Sequence, residues 1–346
     1  MPTSPRPRLR RLAAILLLPC LALALGASAT AGGAAQSSKT YRAHTASSVL
    51  VGVGDENTEM FKDRDWQQLK TRIARYIVPY DAAAQPSHPY WLTSAGKWIK
   101  AAEGQHQEIL IAFYHSEITP TQMPNGRLYE KDVKKFMKDF PNVHDYQPWN
   151  EANRGNIRYA SESLDSPTPL AAAKYYKIVR TLCPACAVTG LDILDQPEVG
   201  PSLQYVAEFK SAIVHTLHLP VPRLWGLHNY SDTNRFQTGR TRAILASVPG
   251  EVWLTETGGI VKFGTDFSNY GGEGLTRAAN ALSFMFGLVK EFPRLKRLYI
   301  YEWTGSGPGA VFDAGLTDYR HRPRPGYVVV CVHLHAKNCK MKVNWD

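Results

Sequence analysis

Tyr146-Gln147-Pro148-Trp149-Asn150-Glu151-Ala152-Asn153 closes a short extended run that starts at Val143 and ends in Asn-Glu. Polar and turn-forming residues follow at once. A carboxylate in that position, at the end of a strand, can be held rigidly at the mouth of a barrel. About a hundred residues later the pattern recurs as Val252-Trp253-Leu254-Thr255-Glu256-Thr257-Gly258-Gly259. Two strand-end glutamates, each after a Trp-bearing apolar run, form a candidate carboxylate pair for acid/base and nucleophilic work.

Outward from this pair, short apolar runs recur along the chain. Before Glu151 they are Ser48–Gly54, Ala74–Tyr80 and Ile109–His115. After it come Ala187–Leu194, Arg223–Tyr230, the Glu256 run itself and Leu298–Trp303. Helical stretches separate them. Val133, Phe136, Met137 and Phe140 fall at i, i+3, i+4, i+7, and Tyr175, Ile178, Val179 and Leu182 share one face. Further helices are expected near Asp65–Arg72, Ser94–Glu103, Ser202–Leu217, Thr238–Ser247 and around Leu275 to Phe286. The last run, Tyr327–Leu334, is β-branched and reads equally as helix or strand. Strict alternation of strand and helix predicts an α/β fold with a parallel sheet buried on both faces. Eight strands over roughly 300 residues predict a single-domain (β/α)8 TIM barrel spanning 47–336, with a tail at 337–346. No G-x-G-x-x-G follows the first strand, so a dinucleotide fold lacks its fingerprint.

The chain has 346 residues, 44% of them hydrophobic, enough for one large core. Arg6, Arg8, Arg10 and Arg11 precede an apolar run, Leu12–Leu25, and then Ala27-Ser28-Ala29. That order predicts a signal peptide over 1–29, with cleavage up to about residue 35, and a small, polar linker over 30–46. The apolar run falls short of the roughly twenty residues that a spanning helix needs, so stable membrane insertion is not expected. Arg10-Arg11 leaves both general and twin-arginine export open. The expected location is therefore extracellular. The net charge is +10, and about +6 without the four amino-terminal arginines. No basic run stands out, and nucleic acid is not an expected partner.

Four cysteines remain after the signal segment: Cys183, Cys186, Cys331 and Cys339. An even number in an exported chain favours disulfides, and proximity favours Cys183–Cys186 and Cys331–Cys339. Cys331, His333, His335 and Cys339 match a zinc site by residue type, but they crowd together in a short tail, and no metal or other cofactor is expected.

The polar residues gather at the strand ends, where barrel active sites lie: Asp55, Glu56, Asp81, His115, Asn150, Glu151, Asp195, His228, Tyr230, Glu256 and Trp303. Asp55, Asp81 and Asp195 read better as caps of the next helix. Glu is a poor cap, so Glu151 and Glu256 need another reason. Trp149 reads equally as core packing or as a sugar platform, and Phe263, Phe267 and Tyr270 are further aromatic candidates.

With these residues in view, the chain resembles the clan A retaining glycoside hydrolases, the TIM-barrel superfamily with catalytic glutamates after strands four and seven. The resemblance rests on Trp149-Asn150-Glu151-Ala152-Asn153 and Thr255-Glu256-Thr257-Gly258, and by strand order it extends over nearly the whole mature chain. Ala152 stands where many relatives have proline. The resemblance implies an enzyme that cleaves β-glycosidic bonds of a polysaccharide or glycoside by double displacement; with the signal segment this predicts a secreted enzyme, and a monomer is expected. The resemblance also implies Glu151 as acid/base and Glu256 as nucleophile. Asn150 would bond the sugar 2-hydroxyl, Arg75 would keep the nucleophile ionised and Tyr230 would donate to it. His228 would contact substrate or acid/base, His115 would serve substrate binding, and Trp303 would form the floor under the sugar. By strand order the charge-stabilising groups cluster around Glu256, so Glu151 is expected to be the protonated member. The alternative is a non-catalytic carbohydrate-binding barrel on a hydrolase scaffold. A phosphate-binding barrel, prompted by Gly258-Gly259 and Gly271-Gly272, is disfavoured by the aromatic residues of the seventh loop.

Overall fold

The structure is a computed structural model, and it describes residues 49–156, 166–267 and 272–340. The expected signal segment and linker, Tyr270, and the tail beyond Lys340 lie outside the described residues.

The apolar runs form parallel strands: β1 (Leu50–Gly54), β2 (Ile73–Pro79), β3 (Glu108–Tyr114), β4 (Asp145–Gln147), β5 (Ala187–Val188), β6 (Asp192–Leu194), β7 (Leu224–His228), β8 (Glu251–Thr257) and β9 (Leu295–Tyr301). Their order in the sheet is β5-β4-β3-β2-β1-β9-β8-β7-β6. The two outermost strands are halves of one run, Ala187–Leu194, which the sequence reads as a single strand. Between the halves the backbone changes partner. Thr189 N donates to Tyr146 O at 3.1 Å, and Gly190 N donates to Leu224 O at 2.8 Å. Leu191 O then accepts from Gly226 N at 2.8 Å. The run passes from β4 to β7, and the sheet closes into a barrel with eight strand positions. Gly190 permits the crossing, because a Cβ there would lie 2.8 Å from the Pro222 ring.

Helices cover the outside: α1 (Arg64–Gln67), α2 (Tyr90–Gly104), α3 (Gly126–Asp139), α4 (Pro169–Leu182), α5 (Val199–Ser211), α6 (Tyr230–Asn234), α7 (Gly239–Ser247), α8 (Gly272–Glu291) and α9 (Pro325–His333). Their starts follow local chemistry. Asn125 Oδ1 accepts from Leu128 N at the head of α3, and Thr168 Oγ1 accepts from Ala171 N at the head of α4, where Pro169 takes the first turn. Tyr129, Val133 and Phe136 are the buried face of α3. The ambiguous run at Tyr327 resolves as helix, for Pro325 starts it and Tyr327, Val330 and Cys331 are buried at helical spacing. The helix expected over Asp65–Arg72 is a single short turn, and it ends before Lys70, which takes a left-handed φ of 53°.

Both disulfides join the neighbours that proximity favours, Cys183–Cys186 and Cys331–Cys339. The second consumes both thiolates that a zinc site in the tail would need. His333 lies flat on Phe286 instead, with ring centroids 3.5 Å apart.

Inside the barrel the lower layer is apolar: Ile73, Leu110, Trp253 and Tyr299 are buried together. Arg297 lies over the Trp253 ring and pairs with Asp145 at 2.7 Å. The upper layer, two residues further along the strands, is polar. Arg75 on β2, Gln147 on β4, Asp192 on β6, His228 on β7 and Thr255 on β8 are all buried there.

Candidate active site

The position of Glu256 depends on an irregularity in β8. Gly226 pairs with Trp253 and His228 with Glu256, so two steps on β7 match three on β8. The other neighbour counts the same way, Leu298 with Leu254 and Ile300 with Thr257. The extra residue between Trp253 and Thr257 is a bulge, which breaks the strict alternation of faces. Thr255 can therefore donate its hydroxyl to Asp192 within the barrel while Glu256, the next residue, also faces the site.

Arg75 fixes Glu256 from below. Its Nη1 donates to Glu256 Oε2 at 2.7 Å, its Nε to Gln147 Oε1 at 2.6 Å, and its Nη2 to Asn150 Oδ1 at 2.5 Å. The guanidinium is 1% exposed and lies 3.4 Å from Asp192. Burial works against its charge, but Glu256 and Asp192 outweigh that and raise its pKa. From the side, Tyr230 Oη donates to Glu256 Oε1 at 3.1 Å. Burial and the Glu256 charge hold this phenol well above its ordinary pKa, so it stays a donor.

Glu151 follows β4 in a turn with φ of +46°, a left-handed conformation that a residue with a side chain seldom adopts. Its backbone N lies 3.4 Å from Asp192 Oδ2, and Ala152 N donates to Asp192 O at 3.1 Å. His228 Nδ1 lies 2.9 Å from Glu151 Oε1, and His228 Nε2 lies 2.9 Å from Asp192 Oδ2. Burial opposes a charge on His228. The Asp192 and Glu256 carboxylates and the bonds to Asp192 and Glu151 prevail, and its pKa is pushed up to about 10. Burial likewise pushes Glu151 up. The hydrogen bond and charge of His228, with Arg154 at 3.2 Å, pull it below its ordinary value overall. The expected protonation of Glu151 is thus opposed by the hydrogen bond and charge of His228, which favour its ionised form.

One oxygen of Glu151, one nitrogen of His228 and one oxygen of Glu256 all lie within 4.8 Å of one another. A divalent cation does not fit among them. Arg75 already neutralises Glu256, and both ring nitrogens of His228 are engaged. The two carboxylates thus approach within 4.8 Å through one oxygen each.

The structure thus brings Glu151, Glu256, Asn150, Arg75, His228 and Tyr230 together, as expected. His115 follows β3, where its Nδ1 lies 3.0 Å from Ser116 O. Among the described residues no hydrogen bond or ion pair links it to either glutamate. Trp303 is a correction. It is fully buried, its indole donates to Asp63 at 3.2 Å, and its ring packs edge-on against Tyr327 of α9. Such a residue offers no face to a sugar. The half-buried Tyr301, two residues earlier, stands at the mouth instead. Its hydroxyl donates to Glu56 at 3.2 Å, and its ring stacks on Phe312, which meets Tyr230 edge-on. Phe312 belongs to a two-stranded ribbon, Lys262–Phe263 against Phe312–Asp313, that stands over this side of the mouth.

Trp149 is 2% exposed and stacks on Tyr175, which makes it core packing. Asp195 accepts from Ser231 N and Asp232 N at the start of α6, and Asp55 accepts from Asn57 N and Thr304 N. Neither caps the helix next in sequence as expected: Asn57 caps the turn after Asp55, α5 starts after Glu198 without a side-chain cap, and Asp81 makes no cap bond either. Asp192 escaped the sequence reading. A charged residue within Leu191-Asp192-Ile193-Leu194 was the available signal, since a buried parallel strand carries a carboxylate only when something pairs with it.

No protein-family model matches the chain, and no curated protein matches it in sequence. Solved structures do match in fold. Xylanase 10B from Thermotoga maritima superposes with a TM-score of 0.55 at 15% identity, over 83% of this chain and 95% of that one. A glycoside hydrolase described as GH5_18 from Streptomyces cattleya, in complex with GlcNAc, gives 0.56 at 14% identity, over 87% and 82%. A family 39 glycoside hydrolase from Bacteroides cellulosilyticus WH2 gives 0.53 at 15% identity, over 82% of this chain and 62% of that one. The chain has the α/β TIM-barrel fold that these glycoside hydrolases share.

Proposed function

We propose that the protein is a retaining β-glycosidase acting on a polysaccharide or glycoside. The observation that carries the reading is the close pair of buried carboxylates, with oxygens within 4.8 Å, of which one is clamped by a guanidinium and a phenol and the other by an imidazolium. In the first step Glu256 attacks the anomeric carbon while the glycosidic oxygen leaves. That oxygen takes a proton from Glu151, which draws it from Nδ1 of His228. Water then attacks the same carbon, its proton returns through Glu151 to His228, and Glu256 is released as a carboxylate. Arg75 and Tyr230 favour the ionised nucleophile. The carbonyl of Asn150 is taken by Arg75, so Asn150 meets a sugar hydroxyl as a donor through its amide nitrogen. Tyr301 and Phe312 supply aromatic faces beside the reacting centre. The fold neighbours, a xylanase and other glycoside hydrolases among them, agree with this reading.

The protein is further proposed to be an exported monomer. Its two disulfides suit an oxidising compartment, and among the described residues no helix is long and apolar enough to cross a membrane.

The test is turnover of a panel of β-glycans and aryl β-glycosides, read by product mass. Glu151→Ala and Glu256→Ala should each abolish turnover in a folded protein. An activated 2-fluoro glycoside should label Glu256. Turnover surviving in both variants would sink the assignment, and a folded wild type that binds glycans without cleaving them would establish the carbohydrate-binding alternative.

A further inference from the structure

Asp192 is fully buried, yet it touches a residue that holds each of the two glutamates, His228 for Glu151 and Arg75 for Glu256. Its Oδ2 lies 2.9 Å from His228 Nε2, 3.4 Å from Arg75 Nη2 and 3.4 Å from the backbone N of Glu151. Its Oδ1 accepts the hydroxyl of Thr255, the residue before Glu256. Its own carbonyl accepts from Ala152 N, just after Glu151. The opposite wall is cut away to admit it, because a Cβ on Gly226 would stand 2.5 Å from Asp192 Oδ1. An ordinary structural acid would need one or two partners. This one is bonded to both sides of the carboxylate pair and has glycine opposite it.

We propose that Asp192 is a positioning residue that couples Glu151 and Glu256, by fixing the His228 ring that meets one and the Arg75 guanidinium that clamps the other. The proposal deepens the glycosidase reading and rests on it for its kinetic consequences. The groups that face His228 are Asp192 from β6, Glu151 from the end of β4, Glu256 from β8 and Arg75 from β2. Among the described residues only Asp192 contacts the far ring nitrogen as an anion, so it holds the ring with Nδ1 towards Glu151. With Asp192 present, the imidazole holds a proton for Glu151 in a fixed orientation. Without it, the ring loses the acceptor for Nε2 and is left beside a cation.

The test is Asp192→Asn, which keeps the shape and removes the charge. Wild type and variant are labelled with 15N-histidine, and the His228 ring nitrogens are followed from pH 5 to 10. Both nitrogens should remain protonated at pH 8 in the wild type, whereas in the variant the ring should already be neutral there. With the aryl β-glycoside that the wild type turns over, kcat should fall about 100-fold, the scale of a lost proton-transfer group, while KM moves less than about threefold. The alkaline limb of the kcat profile should also move to lower pH. A variant whose His228 remains charged at pH 8, or whose kcat stays within about threefold of the wild type, would overturn the proposal. If Asp192→Asn does not fold, Thr255→Val removes only the hydroxyl on Oδ1 and carries the same test. A shift of the His228 midpoint supports the coupling, and an unmoved midpoint with unmoved kcat refutes it. The NMR arm needs no turnover, so a wild type without glycosidase activity would defeat the functional reading and leave the Asp192–His228 arrangement measurable on its own.

Discussion

Replacing Arg75 by Met keeps most of the side-chain volume and removes a buried cation from among two carboxylates and two amides. The geometry sets the scale. Arg75 Nη1 and Glu256 Oε2 are 2.7 Å apart, and at an effective dielectric of 20 a charge pair at that distance is worth about 6 kcal/mol before desolvation is subtracted. Because the partner acids remain buried after the substitution, the relevant cost is that of an orphaned charge, about 3–5 kcal/mol. Trp fluorescence in a urea titration, with eight tryptophans in the chain, measures the loss directly. Arg75→Lys keeps the charge but not the fork that reaches Glu256, Gln147 and Asn150 together, so its loss should fall between wild type and Arg75→Met. The dependence on pH has a defined sign. Asp192 is opposed by burial, but His228 and then Arg75 lower its pKa in the folded protein. The stability it contributes is present above its ordinary pKa and lost as pH falls through the lowered one. Without Arg75 that contribution shrinks, and the gap between wild type and variant should narrow in acid. An Arg75→Met protein within about 1 kcal/mol of wild type at pH 7 would refute the reasoning, since the acids would then have found other partners.

Tyr230→Phe removes one donor to Glu256 at 3.1 Å; a hydrogen bond to a charged group is worth about 1.5–3 kcal/mol, so kcat on the accepted glycoside should drop roughly 10- to 150-fold with little change in urea midpoint. His228 contributes in the opposite pH direction from Asp192. Its folded pKa of about 10 exceeds the ordinary 6.5, so its stabilisation is complete below pH 6.5 and disappears as pH rises towards 10. Urea midpoints at pH 6, 8 and 10 should fall in that order, and His228→Gln should flatten the series. Cys331→Ser with Cys339→Ser opens a bridge of sequence separation 8, and chain entropy predicts a loss of about 2–3 kcal/mol, read as a lower denaturation midpoint in the double variant.

The barrel was legible because its signals are local. Each strand is a short apolar run that stops at a polar residue, and no tertiary information is needed to count them. The two candidate glutamates were legible for the same reason, as charged residues placed where apolar runs end. Departures arise where partners distant in sequence decide. The bulge in β8 is a property of pairing with β7 and β9, and nothing within Trp253-Leu254-Thr255-Glu256 announces it. The division of Ala187–Leu194 reflects two neighbours that each pair with only part of the run. Trp303 was assigned through the family resemblance, but its indole is directed to Asp63 and α9, a matter of partners distant in sequence. The proton was assigned to Glu151 by counting cations near Glu256. That count missed Asp192, which holds His228 against Glu151 and so favours the ionised form of Glu151.

The partner exchange at Thr189-Gly190-Leu191 has a consequence for how the molecule fails on heating. Elsewhere in the barrel a strand is bonded along both edges, whereas β5 pairs with β4 alone and β6 with β7 alone. This seam runs directly into Asp192. Amide protons of the seam should therefore exchange with solvent sooner than those of β2 or β3, and the first opening of the cylinder detaches Asp192 from the imidazole and the guanidinium together. Heat inactivation should then precede loss of helical circular dichroism and remain reversible on cooling, so that the temperature limit of the catalyst is set by three residues of backbone and not by the core that surrounds them.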